Sequence, residues 1–166
     1  TDQLTGIFNR RVVFEALDEA MEKANESQDR EFTTIMFDID FFKQVNDTYG
    51  HAGGDAVLIS FAKLLESEIA SPNIVGRIGG EEFLAILYLN QDQAAEFCKK
   101  LIIKINDNTV NFDGIDIKIS SSGGVAFSSE TNTSADLTNK ADERLYEAKK
   151  SGRNRFKLID SELVGD

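Results

Sequence analysis

One feature limits the fold of this chain most: apolar residues alternate between helical spacing and short continuous runs. The helical stripes predict helices over 13–24, 41–49, 58–69, 94–105 and 137–148, with a break at 50–54. The runs predict strands over 31–39 and 115–127, an edge strand over 156–159, and a hairpin that pairs 74–78 with 83–89. This order predicts an α/β sandwich with an antiparallel or mixed sheet rather than a doubly wound one. At 166 residues, the chain is expected to form one domain over 1–166.

Charge and composition exclude several functions. Asp and Glu number 29 against 18 Lys and Arg, a net charge of −11 that argues against nucleic acid as the main partner. One Cys and one His leave neither a disulfide framework nor a Cys/His zinc cluster. Cys98 falls on an apolar helical face and is expected in the core. No apolar run approaches the roughly 20 residues of a membrane span, so we expect no membrane contact by this domain and a reducing, cytoplasmic location.

Acidic residues follow the first strand and occupy the hairpin tip. Asp38 and Asp40 end an apolar run, where a divalent cation, a helix cap or a Lys/Arg partner would each satisfy them. Glu81 and Glu82 are equally consistent with a plain surface turn. A hairpin strand beside the Asp38 strand would bring acids from both segments to one end of the sheet. An oxygen-only group of this kind suits Mg²⁺ or Mn²⁺ rather than zinc.

Two groups of residues are candidates for holding phosphates. Phe41, Phe42 and Lys43 begin the short helix directly after the acids, where free backbone amides and an ammonium group can receive an anion. Lys149 and Arg153 lie four residues apart at the end of the last helix, a spacing that lets both reach one phosphate. The alternative for each side chain is an ordinary solvated helix residue.

Asn46 and Asp55 are candidates for base recognition. A carboxylate that accepts from N1–H and N2–H selects guanine over adenine, and a carboxamide can assist it. The alternatives are a helix surface group for Asn46 and an N-cap for Asp55. His51 has no Ser or Cys motif beside it, so a structural hydrogen bond is expected there.

These residues fall into motifs that resemble the GGDEF family of diguanylate cyclases along nearly the whole chain. The motifs, in order, are Asp2-Gln3-Leu4-Thr5-Gly6, Asp38-Ile39-Asp40-Phe41-Phe42-Lys43, Gly54-Asp55, Arg77-Ile78-Gly79-Gly80-Glu81-Glu82-Phe83 and Ala148-Lys149 with Gly152-Arg153-Asn154. Glu81 replaces the Asp of the family name, which is an accepted active version.

The resemblance implies a palm-like sandwich, related to nucleotide cyclases and ferredoxin-like folds, with a mostly antiparallel sheet flanked by helices. It implies that two GTP condense to cyclic di-GMP and two pyrophosphates across an antiparallel homodimer. By the same resemblance, Mg²⁺ or Mn²⁺ binds Asp38, Glu81 and the Ile39 carbonyl, and Asn46 and Asp55 read guanine. The Phe41 and Phe42 amides, Lys43, Lys149 and Arg153 would hold the phosphates. Glu82 would lie beside the ribose and the metals and be required for turnover, with Lys43, Glu81 and Asp38 also catalytic.

One stretch departs from the family. Its product-inhibition motif Arg-x-x-Asp is replaced by Ala70-Ser71-Pro72-Asn73, so we expect no strong feedback through that site. A sensor domain is expected upstream of Thr1, as in a bacterial signalling protein. The main alternative is a GTP-binding or protein-interaction module without catalysis. A polymerase-like nucleotidyltransferase is disfavoured by the net charge of −11.

Overall fold

The computed structural model describes residues 1–159 and 162–165, which form a six-stranded sheet, a two-stranded ribbon and four α-helices. The helices are α1 (Arg10–Glu26), α2 (Phe42–Glu68), α3 (Gln91–Asp107) and α4 (Ser134–Lys150). The strands are β1 (Thr33–Ile39), β2 (Ile74–Gly79), β3 (Glu82–Leu87), β4 (Thr109–Phe112), β5 (Ile115–Lys118), β6 (Ser121–Phe127), β7 (Arg155–Lys157) and β8 (Leu163–Gly165). The sheet order is β2-β3-β1-β6-β7-β8, with only β6 and β7 parallel, and β4 pairs with β5. The predicted α/β fold with a mostly antiparallel sheet is confirmed.

Alternation along β1 divides the interior into two cores. Ile35 and Phe37 pack toward α2 and α3, whereas Met36 packs toward α1 and α4. Successive strand residues point to opposite faces, so Asp38 shares the face of Met36. The first acid of the site is therefore directed toward α4.

Aromatic rings join the sheet to α2 in the larger core. Phe37 of β1 meets Phe61 of α2 and Phe156 of β7 edge-on, at centroid distances of 6.3 and 5.6 Å. Phe61 also meets Phe83 of β3 at 5.1 Å. Such pairs contribute about 0.5–1.5 kcal/mol each beyond their buried area. These contacts hold β1 and β3, the two strands whose ends carry the acids, against α2.

Gly124 allows α4 to lie directly on β6. A Cβ at this position would overlap the backbone carbonyl of Ala141 and the amide of Leu145 in α4. The close backbone approach that the sequence predicted at Gly123-Gly124 is therefore present. Its consequence is that α4 passes near enough to β1 for Lys149, in its last turn, to reach Asp38.

The break predicted at 50–54 is confirmed at Gly50, whose non-helical backbone angles (φ 76°, ψ 174°) put a kink between two helical segments of α2. Two other sequence predictions require correction. The strand predicted over 115–127 divides at Ile119-Ser120 into β5 and β6, which belong to different sheets. β7 is not an edge strand, since β8 pairs with its outer side.

One other expectation holds. Cys98 lies on α3 and is fully buried in the larger hydrophobic core. Burial raises the pKa of its thiol far above the ordinary value. Within 1–159 and 162–165, no helix combines the length and apolarity needed to cross a bilayer.

Candidate active site

Strand pairing gathers the predicted acids at one end of the sheet. Asp38 of β1 is the register partner of Glu82 in β3, and the Ile39 N–H donates to the Glu81 carbonyl at 3.3 Å. Glu82 has the same strand parity as Leu84, which packs toward α1 and α4. Asp38 and Glu82 therefore share a face, and Glu81 occupies the adjoining turn.

Lys149 is the cation that meets this group. Its Nζ lies 2.5 Å from Oδ2 of Asp38, whose side chain is only 8% exposed. Burial, which the carboxylates of Glu81 and Asp40 reinforce, raises the pKa of Asp38 in spite of this ion pair. Lys149 thus compensates the acids only in part.

The pKa of Glu82 is also raised, in spite of the nearby Lys149. Burial is the main cause that raises its pKa, and the nearby carboxylates of Asp38 and Asp142 add to it, while Lys149 opposes them. Burial also raises the pKa of Asp142, an acid of α4 that the sequence reading missed. Asp142 lies two helical turns before Lys149, so both side chains fall on one face of α4. This spacing is the sequence signal that could have identified Asp142 as part of the site.

Hydrogen bonds from Arg77 hold the hairpin tip between β2 and β3. Gly79 and Gly80 have φ of 157° and 46°, conformations that side chains disfavour. Arg77 donates from Nε to the Gly80 carbonyl at 2.8 Å and pairs with Asp2 at 3.2 Å. These bonds fix the turn that presents Glu81 while its backbone stays open to an approaching ligand.

The start of α2 provides the predicted anion-binding amides. Phe41 precedes the helix in a left-handed conformation (φ 55°), and α2 begins at Phe42, with Lys43 exposed in the first turn. The first N–H groups of an α-helix lack intrahelical acceptors and attract anions. This helix start directly follows β1, so it lies beside the acidic group.

Arg153 contacts the start of α2 from the turn after α4, a position that the sequence did not predict. The i, i+4 argument for Lys149 and Arg153 is wrong, because α4 ends at Lys150 and Arg153 lies beyond it with φ 62°. The guanidinium instead stacks on the ring of Phe41, 4.6 Å from its centroid. Lys149 and Arg153 therefore approach the site from different directions, one at Asp38 and one at the start of α2.

Asn46 and Asp55 are brought together across Gly54. A Cβ on Gly54 would overlap Oδ1 of Asn46, so the amide lies against the backbone next to Asp55. Asp55 is an exposed residue inside α2, and the alternative that it caps a helix is wrong. The Asn46 amide therefore lies one residue along the backbone from Asp55.

An oxygen-ligated metal fits this group as an open site. Asp38, the turn carrying Glu81 and the Ile39 backbone supply carboxylate and carbonyl oxygens, and Mg²⁺ commonly binds one or two carboxylates plus substrate phosphates. Among residues 1–159 and 162–165, no group of three or more His, Cys, Asp or Glu side chains is placed to hold a metal ion by itself, so a metal here would need further oxygens from substrate phosphates. Burial is the main cause that raises the pKa values of Asp38 and Glu82, neighbouring carboxylates add to it, and a bound cation would favour the ionised forms.

The segment Ala70–Asn73 joins α2 to β2 and lies away from this group. Residues 70–72 are exposed, and the Asn73 side chain accepts from the Tyr88 N–H at 2.9 Å. The segment carries no charged side chain.

Comparison with known proteins identifies the class of this sandwich. The family model named diguanylate cyclase, GGDEF domain, matches residues 1–155. Diguanylate cyclase DgcS of Shewanella oneidensis is 37% identical over 162 residues, covering 98% of this chain and 53% of that protein. Diguanylate cyclase A of Treponema denticola is 35% identical over 167 residues, with coverages of 98% and 45%. The chain spans about half the length of these curated relatives.

Solved structures agree with the sequence comparison. The GGDEF domain of DgcB from Caulobacter crescentus, in complex with c-di-GMP, has a TM-score of 0.90 at 30% identity, covering 97% of this chain and 93% of that one. Diguanylate cyclase SiaD from Pseudomonas aeruginosa, in complex with its activator SiaC, has a TM-score of 0.89 at 35% identity, with coverages of 95% and 61%.

The sequence match and the shared fold define a GGDEF domain. The chain belongs to the GGDEF family of diguanylate cyclases, as its motifs predicted. The individual roles predicted for the site residues remain predictions.

Proposed function

We propose that this domain condenses two GTP into cyclic di-GMP with release of two pyrophosphates. The observation that carries the proposal is the register pairing of Asp38 with Glu82, with Glu81 in the adjoining turn, Lys149 paired to Asp38, and the start of α2 directly after β1. An acidic group next to an anion-binding group suits a metal-bound triphosphate, in which cations bridge the two. Family membership supports the choice of GTP as the nucleotide.

Each half-reaction exchanges one P–O bond for another. The ribose 3′-oxygen of one GTP bonds to the α-phosphorus of the other, the bond between that phosphorus and the β-phosphate oxygen breaks, and pyrophosphate leaves. Two such steps close the ring, so two bound GTP must face each other in a homodimer. Bound Mg²⁺ or Mn²⁺ supplies a lowered pKa for the 3′-hydroxyl and charge neutralisation for the leaving group.

The residues of the chain position and neutralise the reactants. Asp38, Glu81 and the Ile39 carbonyl would hold the metal, and Glu82, the register partner of Asp38, would lie beside the ribose and accept the 3′-hydroxyl proton. The amides of Phe41 and Phe42 would receive phosphate oxygens, with Lys43, Lys149 and Arg153 as cations. Asn46 and Asp55 would bind the guanine edge.

In the proposed complex, the Lys149 ammonium group has two acceptors, the Asp38 carboxylate and the substrate phosphates. In the structure its Nζ donates to Oδ2 of Asp38, an interaction that opposes the effect of burial and favours the ionised carboxylate. Substrate phosphates offer Lys149 a second acceptor. This same ion pair is the one observation that favours the alternative, a GTP-binding module in which Lys149 permanently occupies the metal ligand.

The test is incubation of concentrated protein with GTP and Mg²⁺, followed by chromatography of the nucleotides. We expect cyclic di-GMP and two equivalents of pyrophosphate from the wild type, and none from Glu82→Gln. ATP in place of GTP should give no product. GTP binding without product, at a concentration where sedimentation shows dimers, would establish the binding module instead.

Feedback is a separate expectation. Because Ala70–Asn73 lacks the charges of the family's inhibitory motif, we propose that added cyclic di-GMP leaves the initial rate unchanged. Tight noncompetitive inhibition would contradict this. The upstream sensor and the cytoplasmic location also remain predictions.

A further inference from the structure

Asp40 is buried behind the site and uses both of its carboxylate oxygens within the protein. Its residue is 5% exposed. Oδ1 accepts from the Ser122 hydroxyl at 2.6 Å, and Oδ2 accepts from the Ser120 hydroxyl at 2.6 Å. Oδ2 also accepts from the backbone N–H of Asn154 at 2.9 Å. One side chain therefore joins the end of β1, the start of β6 and the turn that follows α4.

That turn has a backbone that needs external support. Arg153 and Asn154 are consecutive left-handed residues, with φ of 62° and 51°. Such residues cost on the order of 1 kcal/mol or more each and persist where the surroundings hold them. The Arg153 N–H donates to the Ala148 carbonyl at 3.0 Å, which ties the turn to α4. The bond from Asn154 to Asp40 ties it to β1.

The second partner of Arg153 is also fixed through Asp40. Phe41 directly follows Asp40 in the chain and also has a left-handed backbone conformation (φ 55°). Its ring lies 4.6 Å from the Arg153 guanidinium. The Asp40 N–H donates to the Ser120 carbonyl at 2.9 Å, which sets the backbone from which Phe41 departs. Both members of the stacked pair are therefore attached to Asp40, one covalently and one by a hydrogen bond next to it.

We propose that Asp40 is a positioning residue that holds Arg153 over Phe41, ready for the phosphates of the nucleotide. Asp40 itself does not contact the substrate in this account. Its three donors satisfy its oxygens, and its contribution is to keep a long, flexible cation in place before the ligand arrives. The identity of the ligand rests on the proposed function, whereas the link between Asp40 and the turn does not.

A double-mutant cycle on ligand binding tests the proposal. Asp40→Ala, Arg153→Ala and the double variant are titrated with GTP and with inorganic tripolyphosphate in a calorimeter. We expect Asp40→Ala to weaken both ligands about tenfold, and to have less than a twofold effect when Arg153 is already Ala. In turnover, KM should rise about tenfold with a smaller change in kcat. An equal loss in both backgrounds, or no loss in folded Asp40→Ala, would overturn the proposal.

Two further variants separate positioning from general stability. Asp40→Asn keeps one oxygen for the Asn154 N–H and should restore much of the affinity, and it replaces Asp40→Ala in the cycle if the latter fails to fold. Glu130→Ala removes another acid, which is half-buried beyond the opposite end of β6, and should leave KM unchanged. An equal rise of KM in Glu130→Ala would show that lost stability, not Arg153, explains the effect.

A measurement without ligand distinguishes this proposal from the proposed function. Amide hydrogen exchange at Asn154 should be slow in the wild type and at least tenfold faster in Asp40→Ala. If the exchange behaves so but the wild type binds neither probe, the link from Asp40 to the turn stands and the nucleotide assignment fails. Unchanged exchange at Asn154 would overturn the positioning role itself.

Discussion

Two acids at opposite ends of the central strands, the buried Asp38 and the half-buried Glu130, differ in how completely their charges are compensated. Glu130, after β6, accepts from both terminal nitrogens of Arg144 at 2.7 Å and from the Phe127 N–H at 3.0 Å. Burial favours its neutral form, but these bonds outweigh it and hold the pKa of Glu130 below its usual value. At the other end, burial raises the pKa of Asp38 although Lys149 lies 2.5 Å away.

The same helix supplies the cation at both ends, so the difference lies in the acids. α4 provides Arg144 to one carboxylate and Lys149 to a group of carboxylates. A balanced pair contributes to folding, whereas an acidic excess opposes it until a cation binds. The comparison teaches that stability is concentrated at the Glu130 end and binding capacity at the Asp38 end.

Removal of one acid at each end should give opposite outcomes for activity. Asp38→Asn is expected to lower the rate of product formation by at least about 10³-fold, because the proposed metal ligand and the partner of Lys149 are lost together. Glu130→Gln should retain the wild-type rate per folded molecule within about twofold. Initial rates by chromatography, at protein concentrations corrected for the folded fraction, measure both. Comparable losses in the two variants would break the comparison.

Stability should show the reverse order. Glu130→Gln is expected to lower the free energy of unfolding by about 2–4 kcal/mol, since it leaves the buried Arg144 guanidinium without its carboxylate. Asp38→Asn in the absence of metal should change it by less than about 1 kcal/mol, because a poorly compensated charge disappears. Urea denaturation of both variants supplies the numbers. A Glu130→Gln loss below that of Asp38→Asn would contradict this assignment.

A third substitution sharpens the comparison by leaving both charged ends intact. Gly54→Ala places a methyl group where Oδ1 of Asn46 lies, so the amide must move away from Asp55. We expect KM for GTP to rise about tenfold and the preference for GTP over ATP to fall, with kcat little changed. Steady-state kinetics with both nucleotides provides the check. Unaltered selectivity would remove Asn46 from guanine recognition.

The smallest effect is the dependence of stability on pH in the metal-free protein. Because the folded pKa of Glu130 is lowered, its contribution is present above its ordinary pKa of 4.5 and is lost as pH falls through the folded value. The folded pKa of Glu82 is raised, so its contribution is present below 4.5 and is lost as pH rises through the folded value.

Glu82→Gln should therefore gain stability relative to the wild type on going from pH 4 to pH 7, by less than about 1 kcal/mol. Glu130→Gln should lose stability relative to the wild type over the same interval. Denaturation curves at the two pH values measure both differences. Parallel behaviour of the two variants would show that the ends do not differ in charge balance.

Local patterns predicted most of this fold, because helical and strand periodicity are properties of neighbouring residues. Asp38 and Glu81 were identified by motif, and strand pairing then placed them together. Arg153 was placed on the wrong element, since a left-handed turn between Gly152 and Arg155 leaves no periodic signal. The role of Asp40 depends on donors from β6 and from the turn after α4, which only tertiary structure brings together.

The most direct test of the central claim is a Mn²⁺ titration followed by electron paramagnetic resonance, with a non-hydrolysable GTP analogue present. We expect the wild type and Glu130→Gln to bind Mn²⁺ equally, and Asp38→Asn and Glu81→Gln to bind it at least tenfold more weakly. Wild-type affinity in Asp38→Asn would contradict the account, because the acids at this end of the sheet would then not be metal ligands.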